Sequence, residues 1–84
     1  MKYMINYDLN KAGKNYDGLH EVIRSFPYYH ALDSGWFIKT TLSAQQVYDK
    51  LAPKIDADDY LLVSEVNANR QGYLKPTAWE FLNS

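Results

Sequence analysis

The sequence contains no cysteine, no long apolar run and no surplus of positive charge. Without cysteine, the chain can form no disulfide, thiolate metal site or cysteine nucleophile. No apolar stretch approaches the roughly 18 residues that span a bilayer and no signal peptide is recognisable, so we expect a soluble, cytoplasmic protein without a membrane partner. The net charge of −1 differs from the basic surplus of proteins that bind phosphates, so binding to nucleic acid would need a local basic patch.

The chain is short but rich in apolar and aromatic residues. Its 84 residues suffice for one domain, which we assign to residues 1–84, and a hydrophobic content of 46% is that of a folded protein. A domain of this size buries only a modest core, so dimerisation would add apolar burial that one chain lacks. We therefore expect a folded single domain that associates with a second copy.

Alternating apolar and polar residues predict four strands, at residues 2–10, 28–33, 36–42 and 60–66. In the first strand, Tyr3, Ile5 and Tyr7 share one face, and Asp8 lies where the strand ends. A tight Ser34-Gly35 turn joins the second and third strands into a hairpin.

Two amphipathic helices are predicted between these strands. The apolar stripe of the first has helical spacing, at Leu19, Val22, Ile23 and Phe26. Either Asn15 or Asp17 could cap this helix, and the sequence does not choose between them. The second helix begins with a capping box, in which Ser43 and Gln46 satisfy each other's backbone N–H groups.

The resulting order, β-α-β-β-α-β, is the ferredoxin-like plan of an α+β sandwich. A similar box at Thr77 and Glu80 predicts a short C-terminal helix, and residues 72–74 could form a short extra strand. In this plan both main helices cover one face of the sheet, so the other face would expose Met4, Phe37 and part of the fourth strand. That face either meets a second copy in a symmetric homodimer, which we favour, or remains solvated.

Asp8 is the leading candidate for chemistry. In the ferredoxin-like plan the first strand is central, so this carboxylate leaves from the middle of the sheet. Mg²⁺ often takes one or two protein carboxylates and completes its shell with water and phosphate oxygens. A two-fold axis near the strand would bring two copies of Asp8 to one metal. The alternative is structural: Asp8 ends the strand and accepts hydrogen bonds from loop N–H groups.

Polar and basic residues follow Asp8 in the next loop. Asn10, Lys11 and Lys14 are candidate contacts for phosphate groups, and the alternative is a solvated loop. The segment lacks the first glycine and the Ser/Thr of a P-loop. The sequence therefore predicts a weak phosphate site at most.

The remaining polar candidates have structural interpretations. Neither His20 nor His30 has a partner at metal-ligand spacing, so both are expected to be packing or surface residues. The acidic run at residues 56–59 lacks the glycine and distant glutamate of a calcium loop, so we expect a solvated turn.

Three segments carry a family resemblance: Tyr7-Asp8-Leu9-Asn10 with Lys11, Gly13 and Lys14, then Leu32-Asp33-Ser34-Gly35-Trp36, and finally Pro76-Thr77-Ala78-Trp79-Glu80-Phe81-Leu82. In these segments the chain resembles the SinR-like small proteins of bacteria and phages. It is also similar to the CRISPR-associated adaptation nucleases and the virulence-associated toxins, which are related ferredoxin-like proteins.

The resemblance implies a homodimer of ferredoxin-like protomers. It implies that Asp8 corresponds to the aspartate that binds a divalent metal in nuclease members. It also implies that Ser34 and Trp36 match a Ser-x-Phe sequence at the start of the third strand, so we count Ser34 among the nucleic-acid contacts. Residues 72–74 match a late strand that such proteins exchange between protomers.

Two functions follow as hypotheses. The first is a Mg²⁺-dependent nuclease, or a degraded relative of one, in which Asp8 positions the metal and the metal activates water for attack on a phosphodiester. The second is a non-catalytic dimeric module that binds a protein partner, in a defence or phage-counter-defence setting. The slightly acidic charge favours the second.

Overall fold

The computed structural model of the protein describes residues 1–10 and 15–84. The strands are β1 (Lys2–Asp8), β2 (Tyr28–Leu32), β3 (Gly35–Lys39) and β4 (Tyr60–Glu65). The helices are α1 (Asp17–Arg24), α2 (Ala44–Leu51), which continues into a 3-10 turn (Ala52–Lys54), and α3 (Pro76–Asn83). This is a small α+β fold whose element order is the predicted one, and it is compatible with the ferredoxin-like plan. In the described part of the chain, every helix is too short to cross a membrane.

The four strands form one antiparallel sheet in the order β2-β3-β1-β4. β1 is central, as predicted, and pairs with β3 on one side and β4 on the other. In these ladders Ile5 lies opposite Trp36 on β3 and Val63 on β4. Strands β2 and β4 are the two edges of the sheet.

Helices α1 and α2 pack on the sheet face that the alternation of β1 predicted. The core between these two helices and the sheet is formed by Tyr3, Ile5, Leu19, Ile23, Trp36, Ile38, Val47 and Leu51. The predicted capping box of α2 is confirmed: the Ser43 hydroxyl accepts from the Gln46 N–H (3.1 Å), and the Ser43 N–H donates to the Gln46 amide oxygen (2.9 Å). The N-cap position of α1 is Tyr16, and the Asn15 side-chain oxygen accepts from the Asp17 N–H (2.8 Å), so of the two predicted capping residues Asn15 provides a hydrogen bond.

Helix α3 covers part of the second face of the sheet, so the prediction that Phe37 is exposed is wrong, whereas Tyr60 and Leu62 of β4, on the same face, are exposed as predicted. Phe37 is only 6% exposed, because Ala78 and Leu82 of α3 pack against it, with Met4 at the edge of this cluster. A hydrogen bond from the Lys2 ammonium to the Ser84 carbonyl (2.7 Å) holds the end of α3 against β1. A second copy therefore cannot pack on Phe37, because the chain's own helix already covers it.

The start of α3 also differs from the prediction. Lys75 is the N-cap and Pro76 the first helical residue, where its missing N–H has no cost. Thr77 lies inside the helix, and its hydroxyl bonds the Tyr29 hydroxyl (2.5 Å) instead of capping. Residues 72–74 form no strand within the protomer, and the Tyr73 side chain is fully exposed.

Candidate functional site

Three of the site residues that the sequence predicted lie at one end of the sheet. Asp8 ends β1 there, opposite Tyr60, the first residue of β4. The turn between β2 and β3 lies beside it, because the Tyr7 N–H donates to the Ser34 carbonyl (3.1 Å). Asn10 follows in the same region. The structure thus places Asp8, Asn10 and Ser34 at one end of the sheet, whereas Lys11 and Lys14 lie outside the described residues.

The Asp8 side chain is exposed and lies beside a shallow depression of about 300 Å³. Outside the strand ladders, one hydrogen bond to Asp8 is seen among the described residues. The Asn10 side-chain amide donates it to the Asp8 backbone carbonyl (3.4 Å). Among residues 1–10 and 15–84, no N–H group donates to the Asp8 carboxylate outside the strand ladders, and the loop N–H groups of residues 11–14 that the structural alternative invoked lie outside the described residues. Within the same part of the chain, no three His, Cys, Asp or Glu residues come together as metal ligands would.

Asp59, which the sequence assigned to a solvated turn, is instead a buried carboxylate with 7% exposure. One oxygen accepts from the Asn10 N–H (2.8 Å), and the other accepts from the Asp56 N–H (2.8 Å). The Tyr16 hydroxyl lies 2.8 and 2.9 Å from the two oxygens. Asp59 therefore joins the β1 exit, the start of α1 and the start of β4, which is the role that the sequence offered to Asp8.

Asn10 shares in this structural network. Its amide nitrogen donates to the Asp58 carbonyl (2.8 Å), in addition to the weaker bond to the Asp8 carbonyl. Both contacts are to the backbone, and they hold the β1 exit against the turn before β4. An amide already bonded to two carbonyls is poorly placed to donate to a phosphate, so the structure favours a structural role for Asn10.

A cluster of aromatic rings packs beside this end of the sheet, on the α1 face. Trp36 donates its indole N–H to the Tyr7 hydroxyl (2.9 Å), and that hydroxyl also lies 3.2 Å from Nε2 of His20. His30 stacks on Trp36 with ring centroids 3.7 Å apart. Both histidines therefore pack against aromatic rings, as predicted.

Burial lowers the pKa of His20 from its ordinary value, and the nearby charge of Arg24 adds to this effect, while Asp17 acts in the opposite direction. The lowered pKa favours a neutral ring at neutral pH, whose Nε2 can accept the Tyr7 hydroxyl proton. Because the Tyr7 hydroxyl also receives the indole N–H, this network fixes the packing of α1 on the sheet.

The chemistry available at this end of the sheet is limited. An exposed carboxylate beside a depression could bind a divalent cation in an outer, water-rich shell. The buried carboxylate is occupied by backbone and phenol donors. No sequence signal marked Asp59, since its partners Asn10 and Tyr16 lie 49 and 43 positions away.

Comparison with known proteins adds no assignment: no family model matches the chain, and neither a curated protein nor a solved structure is similar to it.

Proposed function

We propose that this protein is a non-catalytic interaction module that acts as a homodimer of ferredoxin-like protomers, assembled through the free edge of β4. The observation that carries the proposal is the character of this edge. β4 is six residues long, contains no proline, carries its one charge at its last residue, Glu65, and exposes Tyr60 (70%) and Leu62 (58%). Edge strands of monomeric proteins are usually protected by charges, prolines or bulges, because unpaired backbone groups template pairing with another chain.

The backbone groups available on this edge follow from the ladder between β1 and β4. The Val66 N–H donates to the Lys2 carbonyl (2.9 Å), and these two residues follow directly on the register in which Tyr3 lies opposite Glu65. Hydrogen-bonded and non-hydrogen-bonded pairs alternate along an antiparallel ladder. The N–H and C=O groups that point away from β1 are therefore those of Leu61, Val63 and Glu65.

The other edge, β2, is less suited to pairing. Its ladder with β3 is interrupted by a register shift between His30 and Leu32. Such an irregularity bends and twists a strand, and natural edges use it to avoid association. Of the two edges, β4 thus offers the longer regular row of backbone groups.

The number of hydrogen-bonded pairs decides the register of the symmetric β4 pair. A two-fold axis at Val63 places Leu61 opposite Glu65 of the second copy and forms three hydrogen-bonded pairs. An axis at Leu62 forms only two such pairs within β4, because Glu65 would then lie opposite Asp59, which precedes the strand. We therefore expect the axis at Val63, with Leu62 opposite Ser64 of the second copy.

This arrangement separates the two Asp8 side chains. From strand spacing and rise, their α-carbons would lie roughly 25 Å apart. A metal shared by two copies of Asp8 is incompatible with such a distance. The dimer proposed here therefore replaces the face-to-face dimer expected from the sequence, and any metal at Asp8 would be held within one protomer.

Cysteine pairing tests the register directly, because the chain contains no native cysteine. Leu62→Cys and Ser64→Cys lie on exposed positions of β4. In the Val63-centred dimer these residues oppose each other as a non-hydrogen-bonded pair, with α-carbons about 4.5 Å apart, a distance that a disulfide spans. We expect oxidation of the two variants mixed together to give far more disulfide dimer than oxidation of either alone.

Leu32→Cys is the matched control, since Leu32 has a similar exposure of 52% but lies on the β2 edge. It should give only the background of random collisions. A strong dimer from Leu62→Cys alone would move the axis to Leu62. If no β4 variant or mixture exceeds the Leu32→Cys background, the β4 dimer is wrong, and a strand supplied by another protein becomes the occupant to seek.

A second function, metal-dependent cleavage of nucleic acid, is favoured by one observation. The Asp8 carboxylate is exposed at the end of the central strand, and no described side chain engages it. A single carboxylate can hold Mg²⁺ when water and phosphate oxygens complete the shell.

For this second function, purified protein with Mg²⁺ or Mn²⁺ would be incubated with single- and double-stranded RNA and DNA. Loss of one essential metal ligand should lower cleavage at least about 100-fold, so Asp8→Asn would be nearly inactive while Asp58→Asn, at a nearby exposed carboxylate, retains activity. Equal cleavage by wild type and Asp8→Asn would remove the catalytic role.

A further inference from the structure

A pocket of about 370 Å³ lies on the opposite side of the sheet from α1 and α2. Its volume is within the range of small-ligand sites. Its floor is apolar and aromatic, with Phe37, Leu82 and Trp79 contributing, and Asn67 and Arg70 stand at its rim. All of these residues belong to one protomer, so the pocket does not depend on the dimer.

The rim arginine is held in place by neutral groups. Arg70 donates one N–H to the Asn67 carbonyl (3.2 Å) and another to the Asn83 side-chain oxygen (2.6 Å). A guanidinium has five N–H groups, so these bonds leave donors for a ligand. Because both acceptors are neutral, the positive charge is fixed in position but is not neutralised by either of them.

Glu65 is the one carboxylate among the residues that line the pocket. It lies opposite Tyr3 in the ladder, and Tyr3 belongs to the core on the α1 and α2 face. Side chains directly opposite each other in a ladder share a face, so the Glu65 carboxylate is directed to the other side of the sheet. Its backbone, not its charge, borders the pocket.

We propose that this pocket binds a small organic anion, consisting of an aromatic or branched apolar body and a carboxylate. The body would pack on Phe37 and Trp79, and the carboxylate would accept hydrogen bonds from Arg70. A planar guanidinium matches the two oxygens of a carboxylate, which gives such a contact both strength and orientation. The apolar floor and the single positive charge select this ligand class over neutral or polycharged molecules.

The test compares 3-phenylpropanoate with its neutral amide, 3-phenylpropanamide, on ¹⁵N-labelled wild-type protein. The two tryptophans provide the readout: the Trp79 indole borders the pocket, whereas Trp36 is buried beyond the sheet and bonded to Tyr7. We expect the carboxylate to shift the Trp79 indole signal saturably, with a Kd of about 1 mM. The amide should bind about tenfold more weakly, and Trp36 should remain unmoved.

Arg70→Gln should reduce the carboxylate affinity to that of the amide, whereas Lys75→Gln, which removes a nearby exposed charge outside the pocket, should change neither. Arg70→Lys keeps the charge without the planar fork, so it should retain a smaller preference for the carboxylate. The Trp36 signal reports whether each variant is folded. Equal affinity for acid and amide in the wild type, or no saturable Trp79 shift, would overturn the proposal regardless of how the variants fold.

Discussion

Asp59→Asn is expected to lower the free energy of unfolding by about 3 kcal/mol, a large share of the stability of a domain this small. The Asp59 carboxylate accepts from the N–H groups of Asn10 and Asp56 and from the Tyr16 hydroxyl. An asparagine keeps the shape but replaces one acceptor oxygen by an N–H₂ group. At least one donor would then face another donor inside a buried site, where an unmet hydrogen bond is costly.

Urea denaturation of wild type, Asp59→Asn and Asp58→Asn would measure the effect. Asp58→Asn is the matched control, because it makes the same chemical change at the adjacent residue, whose side chain is exposed. This variant should lie within about 0.5 kcal/mol of wild type. Similar midpoints for all three proteins would mean that the buried carboxylate does not organise this end of the sheet.

If two copies join along β4 as proposed, Glu65→Pro is expected to give a folded monomer. Its N–H points away from β1, so a proline there leaves the ladder of the protomer intact, as prolines on edge strands do. In the Val63-centred dimer the same N–H donates to Leu61 of the second copy. Two of the six backbone bonds would be lost by symmetry, and each proline ring would occupy the space of the opposing strand.

Two variants control for the proline. Ser64→Pro removes an N–H that points towards β1, so it should lower the free energy of unfolding by at least about 1 kcal/mol through the lost ladder bond. Glu65→Gln removes only the charge and should remain dimeric. The molar mass from light scattering, together with the urea midpoint, separates these results. A monomeric Glu65→Gln, or a Glu65→Pro that stays dimeric, would contradict the outward direction assigned to this backbone group.

Local patterns were sufficient to predict much of the fold. The alternation of Tyr3 and Ile5 identifies the core face of β1, and the Ser43 capping box fixes the start of α2, because both signals act over a few residues. The position of α3 could not be predicted in this way. Its apolar residues show that it packs on something, but the choice of the second sheet face depends on the path of residues 66–75 and on Phe37, far away in sequence.

The candidate site was predicted less well for the same reason. Asp8 and Ser34 were correctly assigned to strand and turn positions, and the sheet order brings them to one end. The sequence could not show which aspartate is buried. Asp59 is one of three aspartates in residues 56–59, and only the tertiary contacts with Asn10 and Tyr16 distinguish it from its neighbours.

The position of α3 determines which surfaces of the sheet a second copy could reach. Because α3 covers Phe37 on the second face, a second copy could add both backbone and apolar contacts at the edges of the sheet. Of these, β4 combines a regular ladder with exposed Tyr60 and Leu62. Pairing with another strand would bury these side chains and remove an exposed apolar edge, which otherwise promotes aggregation.

The most direct test of the proposed homodimer is the molar mass of the untagged wild-type protein, measured by light scattering across a wide concentration range. If two copies join along β4, the molar mass should be twice the chain mass of 9.8 kDa. A constant mass of 9.8 kDa at every concentration would show that the edge of β4 is free in solution, and the homodimer would have to be abandoned.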